Sequence, residues 1–305
     1  MNLIQITETC FYFQGVVNIG YVNHGDEGLL IDAGIDKTTM KKIIKKLEEH
    51  QYPITHLYIT HAHTDHFGGA SYLQTTKQVH TMAPELEEAI LRYPILEPIY
   101  LFQGNTPLQE MRNKFLEGEA IAVNEVLTEG TYTIDGFTFS IIGFPGHSEN
   151  QMGILIDDIL YCGDAYFGME QLHKHKIPYI VDAEQTLQSL EKLKTIQCSG
   201  AVPGHGVYET KFIETVNQNI TYHSEILDSI HVIFDVREGA LSHEKLIRAM
   251  CDRWKVTITH VSAWLLYRTA ITAYLTKLVK DQNVTIQIQD NTLTFDKNNQ
   301  KIEEG

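Results

Sequence analysis

The sequence predicts an α/β (α+β) fold, with a mixed strand-and-helix region over residues 1–220 and a helical module over residues 221–305. Three observations predict it. Through the first two thirds of the chain, short apolar runs of strand character alternate with segments of helical period. Histidines and aspartates stand directly after several of those runs. From about residue 209 long helical patterns take over, ending in a pair of alternating strands.

The elements follow in order. "MNLIQITETCFYFQGVVNIGY" reads as a first strand. It has no positively charged start and no small-residue cleavage site, so a secretory leader is not expected. "VVNIGYVNHGDEGLLIDAG" reads as two strands around a Gly-Asp-Glu-Gly turn. In "DKTTMKKIIKKLEEHQ", Met40, Ile43, Ile44 and Leu47 make a helical stripe with lysines outside. After Pro53, the strand "THLYIT" leads into "HAHTDHFGG", and "GGASYLQ" opens the next helix. Residues 84–120 read as an aromatic-rich, mainly helical insertion carrying Tyr93, Pro94, Tyr100 and Phe102. Such aromatics serve either to roof a cleft or to form a homodimer contact, and both uses stay open. Short strands follow in "TYTIDGFTFSIIGFPGHS" and "MGILIDDILYCGDAYF", then a helix over 182–197, then "GAVPGHG". The last part holds the helical stretches "YETKFIETVNQNITYHSEILDSIHVIF", "SHEKLIRAMCDRW" and "VSAWLLYRTAITAYLTKLVKDQ". It closes with strands joined through Asp290-Asn291, a good hairpin turn. Helices followed by a small hairpin resemble a winged helix.

Composition narrows the function classes. With 43% hydrophobic and 21% charged residues in 305, the chain has the make-up of a soluble globular protein. No apolar run approaches the ~18 residues of a membrane span, so no membrane association is expected. Cys10, Cys162, Cys198 and Cys251 show no pairing pattern, which points to reduced thiols and a cytoplasmic setting. The net charge is −15, and it is uneven. Residues 1–220 hold 14 Lys+Arg against 28 Asp+Glu, whereas residues 221–305 hold 10 against 11. This argues against nucleic acid as a partner, since the phosphate backbone demands clustered cations. A small-molecule substrate is the expected partner.

The histidine cluster carries the chemistry. "ITHAHTDHFGG" holds His61, His63, Asp65 and His66 within six positions. Imidazole and carboxylate are the usual zinc ligands outside thiolate sites. His61 and His63 alternate on an extended segment and can face one side, while Asp65 and His66 follow as the chain turns into a helix. Gly68 and Gly69 let the backbone pack close beneath. His147 in "GFPGHS", Asp164 in "LYCGDAYF" and His205 in "AVPGHG" each follow an apolar run beside small residues. Strands would deliver them to a common sheet edge.

This set resembles the metallo-β-lactamase superfamily, whose T-H-x-H-x-D-H pattern followed by separate His, Asp and His is met by Thr60–His66, His147, Asp164 and His205. The resemblance covers residues 1 to about 220. It implies an αββα sandwich with the metals at one sheet edge, and a C-terminal winged-helix-like extension is expected beyond it. It also implies a first ion held by His61, His63 and His147, a second held by Asp65, His66 and His205, and Asp164 bridging both. The cofactors would be two divalent metal ions, zinc first, with iron or manganese as alternatives. Relatives that cleave β-lactams commonly carry cysteine at the place of Asp164. The aspartate points instead to the binuclear hydrolases, which include glyoxalase II-type thioesterases, lactonases and phosphodiesterases. The implied activity is a metal-dependent hydrolase in which a dinuclear-metal-bound hydroxide cleaves a thioester, lactone or related acyl compound. The alternatives are a phosphodiesterase or nuclease of the same fold, a mononuclear-iron sulfur dioxygenase, and a non-enzymatic scaffold.

Around the ligands, Asp65 is also a catalytic candidate, orienting the attacking hydroxide. Tyr166, two residues after Asp164, is a second catalytic candidate, able to polarise a carbonyl or donate to a leaving group, the alternative being a tyrosine that packs in the loop. Asp32, ending "GLLIDAG", is expected either to orient a ligand histidine or to begin a turn. "HKHK", His173 to Lys176, reads as a solvated loop, the alternative being contact with a substrate anion. After Asp164 the stretch "AYFGMEQLHKHKIP" departs from the Gly-Cys-Gly-Arg-like continuation of glyoxalase II enzymes. The "DHxGG"-like ending and the nearby tyrosine are shared with acyl-homoserine lactonases.

Overall fold

The structure is a computed structural model that describes residues 1–236 and 239–298. In chain order it begins β1 (Asn2–Gln5), β2 (Cys10–Gln14), β3 (Ile19–His24), β4 (Glu27–Ile31), α1 (Lys37–Glu49) and β5 (His56–Tyr58). Then come α2 (Thr64–Phe67), α3 (Ala70–Thr76), β6 (His80–Pro84), α4 (Glu85–Arg92), α5 (Leu96–Leu101) and β7 (Glu125–Leu127). Strands β1 to β7 form one seven-stranded sheet in sequence order, antiparallel up to β4 and parallel from β4 to β7. The parallel half is where crossover helices α1 and α3 are needed.

A second sheet takes β8 (Gly130–Ile134), β9 (Phe137–Gly143), β10 (Met152–Ile156), β11 (Ile159–Tyr161) and, after α6 (Met169–His175) and α7 (Ala183–Leu193), β12 (Gly200–Val202). Its order is β12-β11-β10-β9-β8. The two sheets bury Tyr12, Val22, Leu29 and Tyr58 of the first against Phe139, Ile141, Ile154 and Tyr161 of the second. Helices cover both outer faces. The α1 stripe of Met40, Ile43, Ile44 and Leu47 packs on Phe13, Tyr21 and Leu30, and Leu190 and Leu193 of α7 pack on Leu160 and Ala201. This is the αββα sandwich that the resemblance implies.

The chain ends in α8 (Phe212–Asp235), β13 (Leu241–Ser242), α9 (His243–Arg253), α10 (Val261–Lys280), β14 (Val284–Gln289) and β15 (Thr292–Lys297). The last three strands make a small sheet in the order β13-β15-β14. Asp290 and Asn291 turn the hairpin at φ 49° and 59°, the left-handed pair that a two-residue turn requires. The boundary expected at residue 220 falls inside the 24-residue α8. Tyr222, Ile226 and Ile230 of that helix share one core with Phe167, Leu172 and Ile180 from the sandwich side, so the module is packed on the site region. Residues 237, 238 and 299–305 of the expected C-terminal part lie outside the described residues. Among the described residues, no helix is long and apolar enough to cross a membrane.

The 84–120 segment is helical only as far as Leu101, with one 3-10 turn at Gln109–Met111. Gly104 at φ 79° and the Asn105–Thr106–Pro107 stretch interrupt the helical pattern. Leu101, Met111 and Leu116 bury themselves against Leu265 of α10, tying the insertion to the C-terminal module.

Candidate metal centre

Four strands end at the same edge. Beyond β5 the chain runs extended through Thr60 to His63, then turns into α2, whose first turn carries Asp65 and His66. His147 follows β9, Asp164 follows β11 and His205 follows β12. Their donor atoms converge in three groups: His61, His63 and His147; Asp65, His66 and His205; and His61, His66 and Asp164. Within each group the atoms lie no more than 4.8 Å apart.

Hydrogen bonds set which nitrogen faces inward. Nδ1 of His66 donates to Asp32 Oδ2 at 2.8 Å, Nδ1 of His147 to the Tyr179 carbonyl at 2.9 Å, and Nδ1 of His205 to the Val16 carbonyl at 2.7 Å. Thr60 Oγ1 donates to Asp32 and so accepts from His61 Nδ1 at 3.0 Å. In all four rings the nitrogen that faces the centre is therefore Nε2. His63 differs, since its Nδ1 meets His147 Nε2 at 2.8 Å. Asp32, at φ 67°, sits in a left-handed conformation uncommon for a side-chain-bearing residue. The amide and hydroxyl of Thr60 and the His66 ring hold it there.

The donor set fits divalent cations. His61 Nε2, His66 Nε2 and Asp164 Oδ1 are buried with no hydrogen-bond partner, a costly state unless a cation completes it. Asp164 Oδ2 lies 3.3 Å from both His147 Nε2 and His205 Nε2, and Asp164 Oδ1 lies 3.4 Å from His66 Nε2. Ligand bonds of ~2.0–2.2 Å in a tetrahedron leave neighbouring donor atoms about 3.3–3.6 Å apart. Room for the carboxylate depends on Gly204, where a Cβ would stand 2.0 Å from Asp164 Oδ1. Gly68 and Gly69 allow the approach that the sequence predicts: a Cβ on them would strike the Ile35 and Ala33 carbonyls at 2.2 and 2.3 Å.

Electrostatics divides the cluster. Burial holds His61, His63 and His147 below their ordinary range, His63 at about 3. Burial also opposes charge on His66 and His205, yet Asp164 and its fellow carboxylates prevail. They lift His66 well above its usual value and His205 to about 10. Asp65 and Asp164 are held low in turn: burial opposes their ionisation, and the His66 and His205 charges outweigh it.

All seven ligand candidates thus meet at one edge. Tyr166 does not join them. Its backbone is extended after Ala165, which turns the ring to the outer face of the second sheet, where it stacks on Phe212 and donates to Glu209 at 3.3 Å. At 1% exposure it cannot reach a substrate, which corrects the expectation. Phe167, the next residue, faces the centre instead, with its ring 5.6 Å from His147 and 5.7 Å from His205. The "HKHK" stretch is exposed from His173 to His175, as expected of a solvated stretch, but it ends the helix α6 instead of forming a loop, and Lys174 and His175 line the clefts beside the ligand set.

Two clefts open from the centre, sharing Asp65, Phe115, His175 and His205. One, of about 220 Å³, is walled by Phe115, Leu116, Phe167, Tyr179 and Leu266, with Glu97 in its lining. The other, of about 500 Å³, runs past Val16 and Ile35 to Lys42 and Lys174. The 84–120 insertion thus supplies part of the cleft wall, one of the two uses the sequence leaves open. Two buried carboxyls escaped the sequence reading. Glu87 accepts from Ala62 N at 2.8 Å, Ser148 Oγ at 2.5 Å and Asn150 N at 3.1 Å, clamping the His61–His63 segment to the His147 loop. Glu97 is the other.

The Metallo-beta-lactamase superfamily model matches residues 12–205. The chain is 28% identical over 199 residues to the atrochrysone carboxyl ACP thioesterase of Aspergillus fumigatus, covering 64% of this chain and 52% of that protein. It is 26% identical over 176 residues to the hydroxyacylglutathione hydrolase of Aliivibrio fischeri, covering 57% and 54%. The chain therefore spans little more than half the length of these curated relatives. Among solved structures, a beta-lactamase domain protein from Burkholderia ambifaria superposes with a TM-score of 0.73 at 15% identity, over 97% of this chain and 93% of that one. A metallo-beta-lactamase family protein from Thermus thermophilus gives 0.71 at 15% identity, over 92% and 93%. Both likenesses extend through the C-terminal module.

Proposed function

This chain belongs to the metallo-β-lactamase superfamily, and from that membership and the geometry of its site we propose that it is a dinuclear metal-dependent hydrolase of thioesters. The observation that carries this reading is Asp164 Oδ2, 3.3 Å from a histidine of each ligand set, His147 and His205. One carboxylate facing both sets is what two neighbouring cations require. The thioesterase and hydroxyacylglutathione hydrolase among the relatives support the thioester over the lactone and the other acyl compounds.

Divalent cations in these sets, zinc first, would supply a nucleophile from water at neutral pH and polarise the substrate oxygen. The protein's own groups do the rest. Asp65, half-buried at the cleft floor, pairs with His205 Nε2 at 3.3 Å and keeps its second oxygen for orienting the attacking water. Its low pKa makes it an acceptor that aligns a proton and holds it only briefly. Leu116, Phe167 and Leu266 provide an apolar wall that excludes bulk water and grips an acyl group, with the exposed Phe115 at its rim. The exposed lysines Lys42 and Lys174 line the other cleft and suit an anionic leaving thiol. The order helix, strand, helix, helix, hairpin of residues 212–297 matches a winged helix used for packing, since Leu266 of α10 walls the site. Free thiols at all four cysteines fit the cytoplasmic setting. A homodimer is an independent proposal, read from the exposed Tyr93 and Phe115 of the insertion.

The test combines metal analysis of the purified chain with a panel of thioesters, lactones, aryl esters and phosphodiesters. Two equivalents of divalent metal and a preference for thioesters are expected. One iron per chain with oxygen uptake and no hydrolysis would overturn the reading in favour of a sulfur dioxygenase, and phosphodiester cleavage would overturn it in favour of a nuclease.

A further inference from the structure

Two carboxyls near the centre are equally buried, Glu87 at 1% and Glu97 at 3% exposure. Their surroundings differ. Glu87 receives three hydrogen bonds. Among the described residues no hydrogen bond or ion pair reaches the Glu97 side chain, which stands on the short α5 in the lining of the smaller cleft, among Phe115, Leu116, Tyr179 and Leu266. Burial pushes its pKa well up, and the charges of Asp65 and Glu87 push the same way. An unpaired buried carboxyl costs the fold stability, and an apolar side chain of the same size would pack better in this wall. A group kept at such cost inside a cleft is explained by what the cleft receives.

The lining of this cleft contains Asp65, Asp164 and Glu97 and no lysine or arginine. Asp65 and Asp164 belong to the ligand groups, which leaves Glu97 as the acid of this lining that no ligand group uses. We propose that Glu97 is a specificity-determining residue that receives an ammonium group at the far end of the substrate's acyl chain. The preferred substrates are then ω-aminoacyl thioesters, with the acyl chain along the apolar wall and the thiol leaving toward Lys42 and Lys174. Ammonium against carboxylate in a dry wall forms a charge-assisted hydrogen bond, and a methyl group there leaves the acid unpaired. This inference rests on the thioesterase reading.

The test uses the metal-loaded full chain and two matched pairs of N-acetylcysteamine thioesters of different chain length, β-alanyl against butanoyl and 6-aminohexanoyl against heptanoyl. The wild type is expected to favour the amine in at least one pair by tenfold or more in kcat/KM. Glu97→Leu should lose at least tenfold more on that amine than on its methyl isostere, and its Tm should rise. Calorimetric binding of 6-aminohexanoate and heptanoate to both proteins reads the same preference without turnover. If the wild type hydrolyses no thioester, the hydrolase reading fails, and the calorimetry still decides on Glu97. An amine preference that Glu97→Leu leaves intact, equal losses on both members of a pair, or no amine preference in the wild type overturns the proposal.

Discussion

The two ligand sets are built from the same side chains and behave in opposite ways. His61, His63 and His147 stand in dry surroundings and stay neutral, His63 down to about 3. His66 and His205 stand against Asp32, Asp65 and Asp164, which overcome burial and hold protons on them, on His205 up to about 10. The first set offers open lone pairs, and a cation arriving at the second must displace protons. What separates them is where the carboxylates fall: all three touch the second set, and only Asp164 touches the first.

The strongest way to break the comparison is to remove the group the two sets share. Asp164→Ala should lower turnover by ~10³-fold or more, since neighbouring cations would then repel each other without a bridging charge. Metal content should fall from two equivalents toward one, measured by elemental analysis beside the kinetics. Full turnover with both ions retained would refute the bridging role.

Acid sharpens the comparison with the next-largest effect. As pH falls, affinity at the second set should drop about tenfold per pH unit for each proton regained, ~10² per proton between pH 7.5 and 5.5. The first set should be flat until the pH nears the depressed values of its histidines. Metal content followed by dialysis across this range should therefore fall in two steps, the second set emptying first. In the cation-free protein the sign is that of a raised histidine. The His205 proton contributes stability that is full below pH 6.5 and is lost as pH rises through about 10. Simultaneous loss of both ions would remove the distinction between the sets.

These sets were legible in the sequence because a strand end fixes both place and direction. His61, His147, Asp164 and His205 each follow an apolar run and stand beside glycine or another small residue, so the sheet edge gathers them without knowledge of the loops. Tyr166 marks where that logic stops: extended backbone alternates faces, and one residue decides whether a ring meets the metals or the core, so Phe167 took the place given to Tyr166. Glu87 and Glu97 were illegible for another reason. In "PELEEAILRYPILEP" they sit among other glutamates on helical segments, and only the packing of α4 and α5 on the site buries these two. The alternation of helices and strands could be read from periodicity, and their stacking into outer helix layers followed from the family resemblance. The single core joining α8 to the sandwich could be read from neither, because it depends on contacts between distant segments.

The supports behind each set give a more selective probe. Asp32→Asn keeps the shape and tolerates φ 67°, but removes the charge behind His66. Affinity at the second set should fall ~10–100-fold, the usual cost of losing such a partner, while the first set holds its ion. Competition with a chelator, read as two separate transitions, measures this. Equal weakening of both sets would mean that they act as one unit.

The mirror experiment at the first set should have the smallest effect. Glu87 meets three donors and no acceptor: the Ala62 and Asn150 amides and the Ser148 hydroxyl. In Glu87→Gln one carboxamide oxygen still accepts, but the new NH₂ faces a donor, and one hydrogen bond becomes a repulsion. The cost is ~1–3 kcal/mol of stability. It falls on the clamp between the His61–His63 segment and the His147 loop, so the first set should loosen by about tenfold or less while Asp32 still orients His66. A lowered Tm with selective weakening of the first ion is therefore expected in the same chelator competition. Weakening confined to the second ion would reverse the assignment of Glu87 to the first set.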